Sequence, residues 1–246
     1  GDHMTTTVHG HCDESFSAVR DAFQANFDRG LEDGASVAIL INDELVVDLW
    51  GGVADPATGA PWQEDTICCL FSATKTMSAL CMLTLADRGL IDMDAPVAEY
   101  WPEFSANGKD GVLVRHVLAH TAGLPGWTES VTFDDLYDTR GAAAALAEQA
   151  PWWEPGTAAG YHAVTQGYLL GELVLRVTGE SLGTFFRTTF AEPLGAEYHI
   201  GTGPELDARI APIIPPTNVL GGRSTPGSIG ERALNNPVID AAVANT

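Results

Sequence analysis

Ser72 and Lys75 lie three residues apart in LFSATKTMSAL, Leu70 to Leu80, and the chain has one other lysine, Lys109. Positions i and i+3 share a face of a helix, so the serine oxygen and the lysine nitrogen can meet. Burial of a lysine among apolar neighbours disfavours its cation. A free amine there could take the Ser72 proton and turn the oxygen into a nucleophile. Ser72 would sit in a first helical turn, where unpaired N–H groups and the positive dipole end favour developing negative charge. The same spacing also suits a plain N-cap serine with a lysine that snorkels to water. A Ser-Lys base needs a further proton-handling group. Tyr161, in EPGTAAGYHAVTQGYLLGEL, stands at a loop-to-helix junction where its hydroxyl can be presented.

These side chains need elements to hold them. Apolar spacing from Glu14 to Phe27 predicts an entry helix. ASVAILINDELVVDLWGG reads as a β-hairpin turning at Asn42-Asp43 and closed by Gly51-Gly52, followed by a Pro/Gly/Asp-rich loop over 53–65. A helix follows over about 72–88, stopped by Gly89. It is apolar on nearly every face, as expected of a buried helix. VRHVLAHTAGL predicts another helix ending at Gly123. Residues 140–149 predict an alanine-rich helix broken by Pro151. A long helix after Tyr161 is capped by Gly179, and ESLGTFFRTTFAEPLGA is a further helix and turn. From Ile210 onward the sequence is dense in Pro, Gly and Asn and reads as an extended excursion.

The chain has 246 residues, 45% hydrophobic, and a formal net charge of −21. Such acidity repels phosphate backbones and anionic lipid heads, so no nucleic-acid or membrane partner is expected. The four cysteines, Cys12, Cys68, Cys69 and Cys81, form no paired framework and read as reduced thiols. The first four residues, GDHM, read as an expression scar, and TTTVHGHCDESF lacks the features of a signal peptide, so a cytoplasmic location is expected. His116 and His120 are four apart, but no glutamate follows His116 as in HExxH and no third ligand is evident. They read as structural, and no metal or other cofactor is expected. His162, next to Tyr161, could contact substrate or stand as a structural histidine. Trp152 and Trp153 could line an acyl pocket or simply pack. Asp92 and Asp94 read as a loop-ordering pair. No GxSxG elbow and no Gly-rich phosphate loop is present.

Three blocks, FSATK, VLAHTAGLPG and WEPGTAAGYHAVTQGYLLGELVLRVTG, occur in the order and context seen in serine β-lactamase-like hydrolases. The sequence resembles most closely the family VIII carboxylesterases, from near Ser36 to about Gly203. That resemblance implies an α+β fold, an α/β sandwich with an antiparallel sheet flanked by helices plus a helical subdomain over about 73–200. It implies one such domain over residues 5–246. It also implies Ser72 as the acylated nucleophile, Lys75 as its base and Tyr161 as the proton shuttle. The Ser72 N–H would form half of an oxyanion hole, a donor worth roughly 10²–10³ in rate. Two departures bear on function. Penicillin-recognising members carry Tyr-x-Asn, whereas the triplet here is Tyr161-His162-Ala163, which fits an esterase better than a lactamase. No third family motif on a C-terminal strand is found before Thr246. The expectation is that the C-terminal part of the fold is missing, to be completed by a second polypeptide or a remaining C-terminal segment. The activity implied is hydrolysis of a small-molecule carboxylic ester through an acyl-enzyme. Amide or lactam hydrolysis, acyl transfer and a non-catalytic binding form are the alternatives.

Overall fold

The computed structural model describes residues 4–216 and 224–246. Residues 1–3 of the expected scar and residues 217–223 of the Pro/Gly-rich excursion lie outside the described residues. The chain forms two compact units. One takes in residues up to Cys69 with 203–215 and 241–246, and the other Leu70–Thr202 with 216–240.

The first unit is built on an antiparallel sheet in the order β1 (Val8–Cys12), β3 (Glu44–Asp55), β2 (Gly34–Ile41), with β4 (Ala60–Pro61) also on β3. Asn42 and Asp43 both take positive φ, 49° and 64°, the backbone of a tight type I′ hairpin turn. Ile41 accordingly faces Glu44 in register. The predicted closure at Gly51-Gly52 is corrected: β3 runs on through both glycines to Asp55. Gly52 is required there by close approach, since a Cβ would lie 2.1 Å from the Asp33 carbonyl oxygen. α1 (Ser17–Asp28) lays Phe23 and Phe27 against Val46, Val47 and Leu49 of β3, and the two phenyl rings meet edge to face. β5 (Ile67–Cys68) pairs in parallel with β6 (Ile210–Ala211).

The second unit is helical, made of α2 (Thr74–Asp87), α3 (Val97–Tyr100), α4 (Val114–Leu118), α5 (Phe133–Tyr137), α6 (Thr139–Glu148), α7 (Thr165–Thr178), α8 (Leu182–Phe186), α9 (Glu192–Leu194) and α10 (Ile229–Leu234). Its core gathers Met82 and Leu85 of α2, Trp101, Phe104, Leu146 of α6, and Leu169, Leu170 and Leu173 of α7. Gly179, at φ 77°, ends α7 where the sequence places the cap.

Three expectations change. The VRHVLAHTAGL helix is only five residues long, because His120 enters the left-handed region at φ 60°. α2 is not buried all round: Cys81, Met82 and Leu85 are enclosed, whereas Leu83 is 57% exposed. The excursion after Ile210 contains the short helix α10, N-capped by Ser228 accepting from the Glu231 N–H. Lys109 is fully buried, and its amine donates to the carbonyls of Ala106 (2.6 Å) and Gln149, the residue that ends α6. Burial pushes it down to about 8. Together the units combine an antiparallel sheet carrying a helix with a helical region, an α+β architecture.

Candidate active site

Ser72 stands in a single 3₁₀ turn, Phe71–Ala73, that runs directly into α2. Phe71 precedes it at φ 47°, a strained backbone for a residue with a Cβ. That turn puts Ser72 at the helix entrance and Lys75 one turn further on. The α2 entrance is held by a hydrogen bond of 3.0 Å between Thr74 Oγ1 and the Tyr198 hydroxyl.

Tyr161 comes from far along the chain, in the loop before α7. Residues 120–124 hold that loop. Trp152 N–H donates to Gly123 O (2.7 Å), Gly156 N–H to Thr121 O (2.9 Å) and Gly160 N–H to His120 O (2.9 Å). Leu124 N–H donates to His162 Nε2 at 3.1 Å, and Thr165 Oγ1 donates to Leu124 O at 2.7 Å.

The result brings the three sequence-predicted groups together. Lys75 Nζ donates to Ser72 Oγ at 3.1 Å and to the Ala163 carbonyl at 2.7 Å. The Tyr161 hydroxyl donates to Ser72 Oγ at 2.7 Å. Lys75 Nζ also lies 4.9 Å from the centre of the Tyr161 ring. Desolvation pushes the phenol up. The hydrogen bonds to Ser72 and Lys75 and the lysine charge outweigh it, so its pKa falls below the ordinary value. Ser72 is exposed and Tyr161 is 51% exposed, so the nucleophile and the phenol are open to solvent.

His162 does not join them. It is fully buried, its Nδ1 lies 2.5 Å from the Gly160 carbonyl and its Nε2 accepts from Leu124. The reading of His162 as a substrate contact is therefore corrected: both ring nitrogens serve the backbone. Burial pushes its pKa down to about 4, so the ring is neutral, with Nδ1 as the donor.

The tryptophans support the loop. Trp152 donates from Nε1 to Thr128 Oγ1 at 2.9 Å and carries the Arg232 guanidinium 3.9 Å from its ring centre. Trp153 packs edge-on to His162 and so tightly on Gly160 that a Cβ there would meet it at 2.6 Å. His116 Nδ1 accepts from the Leu113 N–H at 3.0 Å, and His120 Nδ1 accepts from the His162 N–H at 2.9 Å. The two histidines thus serve separate backbone donors. Among the described residues no group of three or more His, Cys, Asp or Glu side chains is placed to hold a metal. No helix among them is long and apolar enough to cross a membrane.

Sequence reasoning missed Phe71, the Ala163 carbonyl and the place of His120 beside Tyr161. The Ala163 contact carries no side-chain signal. The His-Thr-Ala-Gly-Leu run was a visible signal, because its Gly and short polar residues suit a turn that could cradle another loop.

The Beta-lactamase family profile matches residues 22–229 of this chain. The chain belongs to the Beta-lactamase family. Within that family it is 42% identical over 214 residues to the esterase/beta-lactamase LipL of Mycobacterium tuberculosis, covering 86% of this chain and 49% of that protein. It is 32% identical to the esterase EstB of Burkholderia gladioli over 70% of this chain and 48% of that protein. A solved structure of a family VIII carboxylesterase superposes with a TM-score of 0.87 at 44% identity, over 97% of this chain and 64% of that one. The chain thus spans about half the length of the curated relatives it matches.

Proposed function

We propose that the chain carries the nucleophilic centre of a serine carboxylesterase that works through an acyl-enzyme. The observation that carries this reading is the convergence of Lys75 Nζ and Tyr161 OH on one oxygen, Ser72 Oγ, at 3.1 and 2.7 Å. With Lys75 as the free amine, the Ser72 proton passes to Nζ while Oγ bonds to the ester carbonyl carbon. The Ala163 carbonyl holds the amine in place throughout. The Ser72 N–H, at the start of a helical run, faces the charge that grows on the carbonyl oxygen. As the carbon–oxygen bond to the alcohol breaks, Tyr161 gives that oxygen its proton and is reprotonated from Lys75. Water then attacks the acyl carbon with the same groups acting in reverse, releasing the acid and restoring Ser72. A lowered phenol pKa suits a group that must both give and take a proton near neutrality.

An ester is favoured over a β-lactam because the position two after Tyr161 is Ala163, which has no side-chain amide to grip the substrate. The names of LipL and EstB agree with ester chemistry, and that of LipL includes lactam chemistry too. The test is turnover of p-nitrophenyl acetate and butyrate beside nitrocefin. A nitrophenol burst that disappears in Ser72→Ala is expected. Nitrocefin turnover without ester turnover would sink the ester reading. Failure of a fluorophosphonate to label Ser72 would sink the nucleophile itself.

A further inference from the structure

We propose that His120 is a positioning residue for Tyr161, a reading that rests on the proposed Ser72 chemistry. His120 adopts φ 60°, a left-handed backbone that a side chain with a Cβ takes at a cost of roughly 1 kcal/mol. Strain of this kind persists only where surrounding contacts hold it, and here they converge on the ring. The imidazole lies against the Tyr161 ring with centroids 4.9 Å apart and planes at 54°. Its Nδ1 accepts the N–H of His162, the peptide group that immediately follows Tyr161. Its own carbonyl accepts from Gly160, the residue immediately before. One residue therefore grips the phenol-bearing residue on both sides in sequence and on its ring face.

The brace requires a neutral imidazole, because a protonated Nδ1 could not accept the His162 N–H. The groups around the ring provide for this. Burial holds the His120 pKa below its ordinary value, and the charge of Lys75 on α2 adds to this while that amine is protonated. His162, itself neutral, lies edge-on at 5.6 Å, and the Gln166 amide nitrogen of α7, 3.4 Å from His120 Nε2, directs its donors to the Val117 and Leu118 carbonyls. A small tilt of the Tyr161 ring would lengthen the 2.7 Å contact to Ser72, and misplacement by about 1 Å at a reacting group can cost about 10²-fold in rate.

Two substitutions separate the components of the brace. His120→Asn tolerates the left-handed backbone and offers an oxygen to the His162 N–H, but removes the ring. His120→Phe keeps a ring and removes the acceptor. The first readout is the rate of fluorophosphonate labelling at Ser72 across pH. Slowing by 10- to 100-fold, with a displaced pH profile and an unchanged melting temperature in His120→Asn, is the expected result. The second readout needs no turnover: the phenol titration of Tyr161, from ultraviolet difference spectra against Tyr161→Phe. In both variants this titration should move up towards the ordinary tyrosine range as contact with Ser72 and Lys75 loosens. Parental labelling rates and an unmoved Tyr161 titration in His120→Asn would overturn the proposal. If the parent chain does not label, the Ser72 reading fails, and the titration alone still decides whether His120 holds Tyr161. ¹⁵N spectra of the unmutated protein add a check: His120 should be the Nε2–H tautomer at every pH where Ser72 reacts, and an imidazolium there would overturn the brace.

Discussion

Ser72 owes its position to the residue before it. Phe71 is half exposed and holds φ 47° without a glycine's freedom. Phe71→Gly should therefore relieve about 1 kcal/mol of backbone strain, offset in part by lost apolar contact. The same change should slow labelling of Ser72, because the turn becomes one of several accessible conformations. Urea denaturation beside labelling kinetics reads both, and a faster-labelling variant would contradict the account. His162 makes a separate prediction. Its folded pKa of about 4 lies below the 6.5 of an unfolded histidine, so the unfolded chain binds the extra proton first. Its contribution is intact above pH 6.5 and is lost as pH falls towards 4, a swing of up to about 3 kcal/mol. His162→Gln retains an acceptor for the Leu124 N–H but does not titrate. Stability of the variant should change less than that of the parent between pH 7 and pH 4.5 in urea melts.

At the scale of elements, α6 and α7 are tied by a carboxylate on the buried side of α7. Glu172 accepts from Arg140 Nη2 at 2.9 Å and Nε at 3.3 Å, and from Arg176 Nε at 2.9 Å. Arg176 also reaches Glu103 at 3.0 Å and lies over the Trp101 ring. Desolvation pushes the Glu172 carboxyl up, but the two guanidinium groups outweigh it and its pKa falls below the ordinary value. A depressed carboxylate contributes stability above its unfolded pKa and loses it as pH falls through the folded one. Glu172→Gln should cost about 1.5–3 kcal/mol at pH 7. The gap to the parent should close in strong acid, when the parent carboxyl is itself protonated. A gap that stays constant down to pH 2 would mean that the loss is one of packing.

For the whole molecule the dominant physical fact is a formal charge of −21 over 246 residues. Self-repulsion at that charge destabilises the compact chain and is screened with a Debye length near 10 Å at 0.1 M salt. The melting temperature should rise by several degrees between 10 and 300 mM NaCl at pH 7, and a fall would show that specific ion pairs outweigh the net field.

Much of this could be read without coordinates, because it rests on local rules. β-rich runs around Asn42-Asp43 placed the hairpin, apolar spacing placed α1, and Gly179 marked the end of α7, since each of these signals is local to its own stretch of chain. A spacing of three positions from Ser72 to Lys75 puts both on one helical face, and the block around Tyr161 named the third group. Only the tertiary structure could decide the rest, because it depends on contacts between segments distant in sequence. The left-handed His120 cut short a helix that periodicity extended to Gly123. β3 passed through two glycines because Asp33 needed close approach. His162 turned inward to bond Leu124. Above all, the 2.7 Å meeting of Tyr161 with Ser72 spans 89 positions of sequence. No local pattern encodes such a distance; it exists because residues 120–124 hold one loop against another.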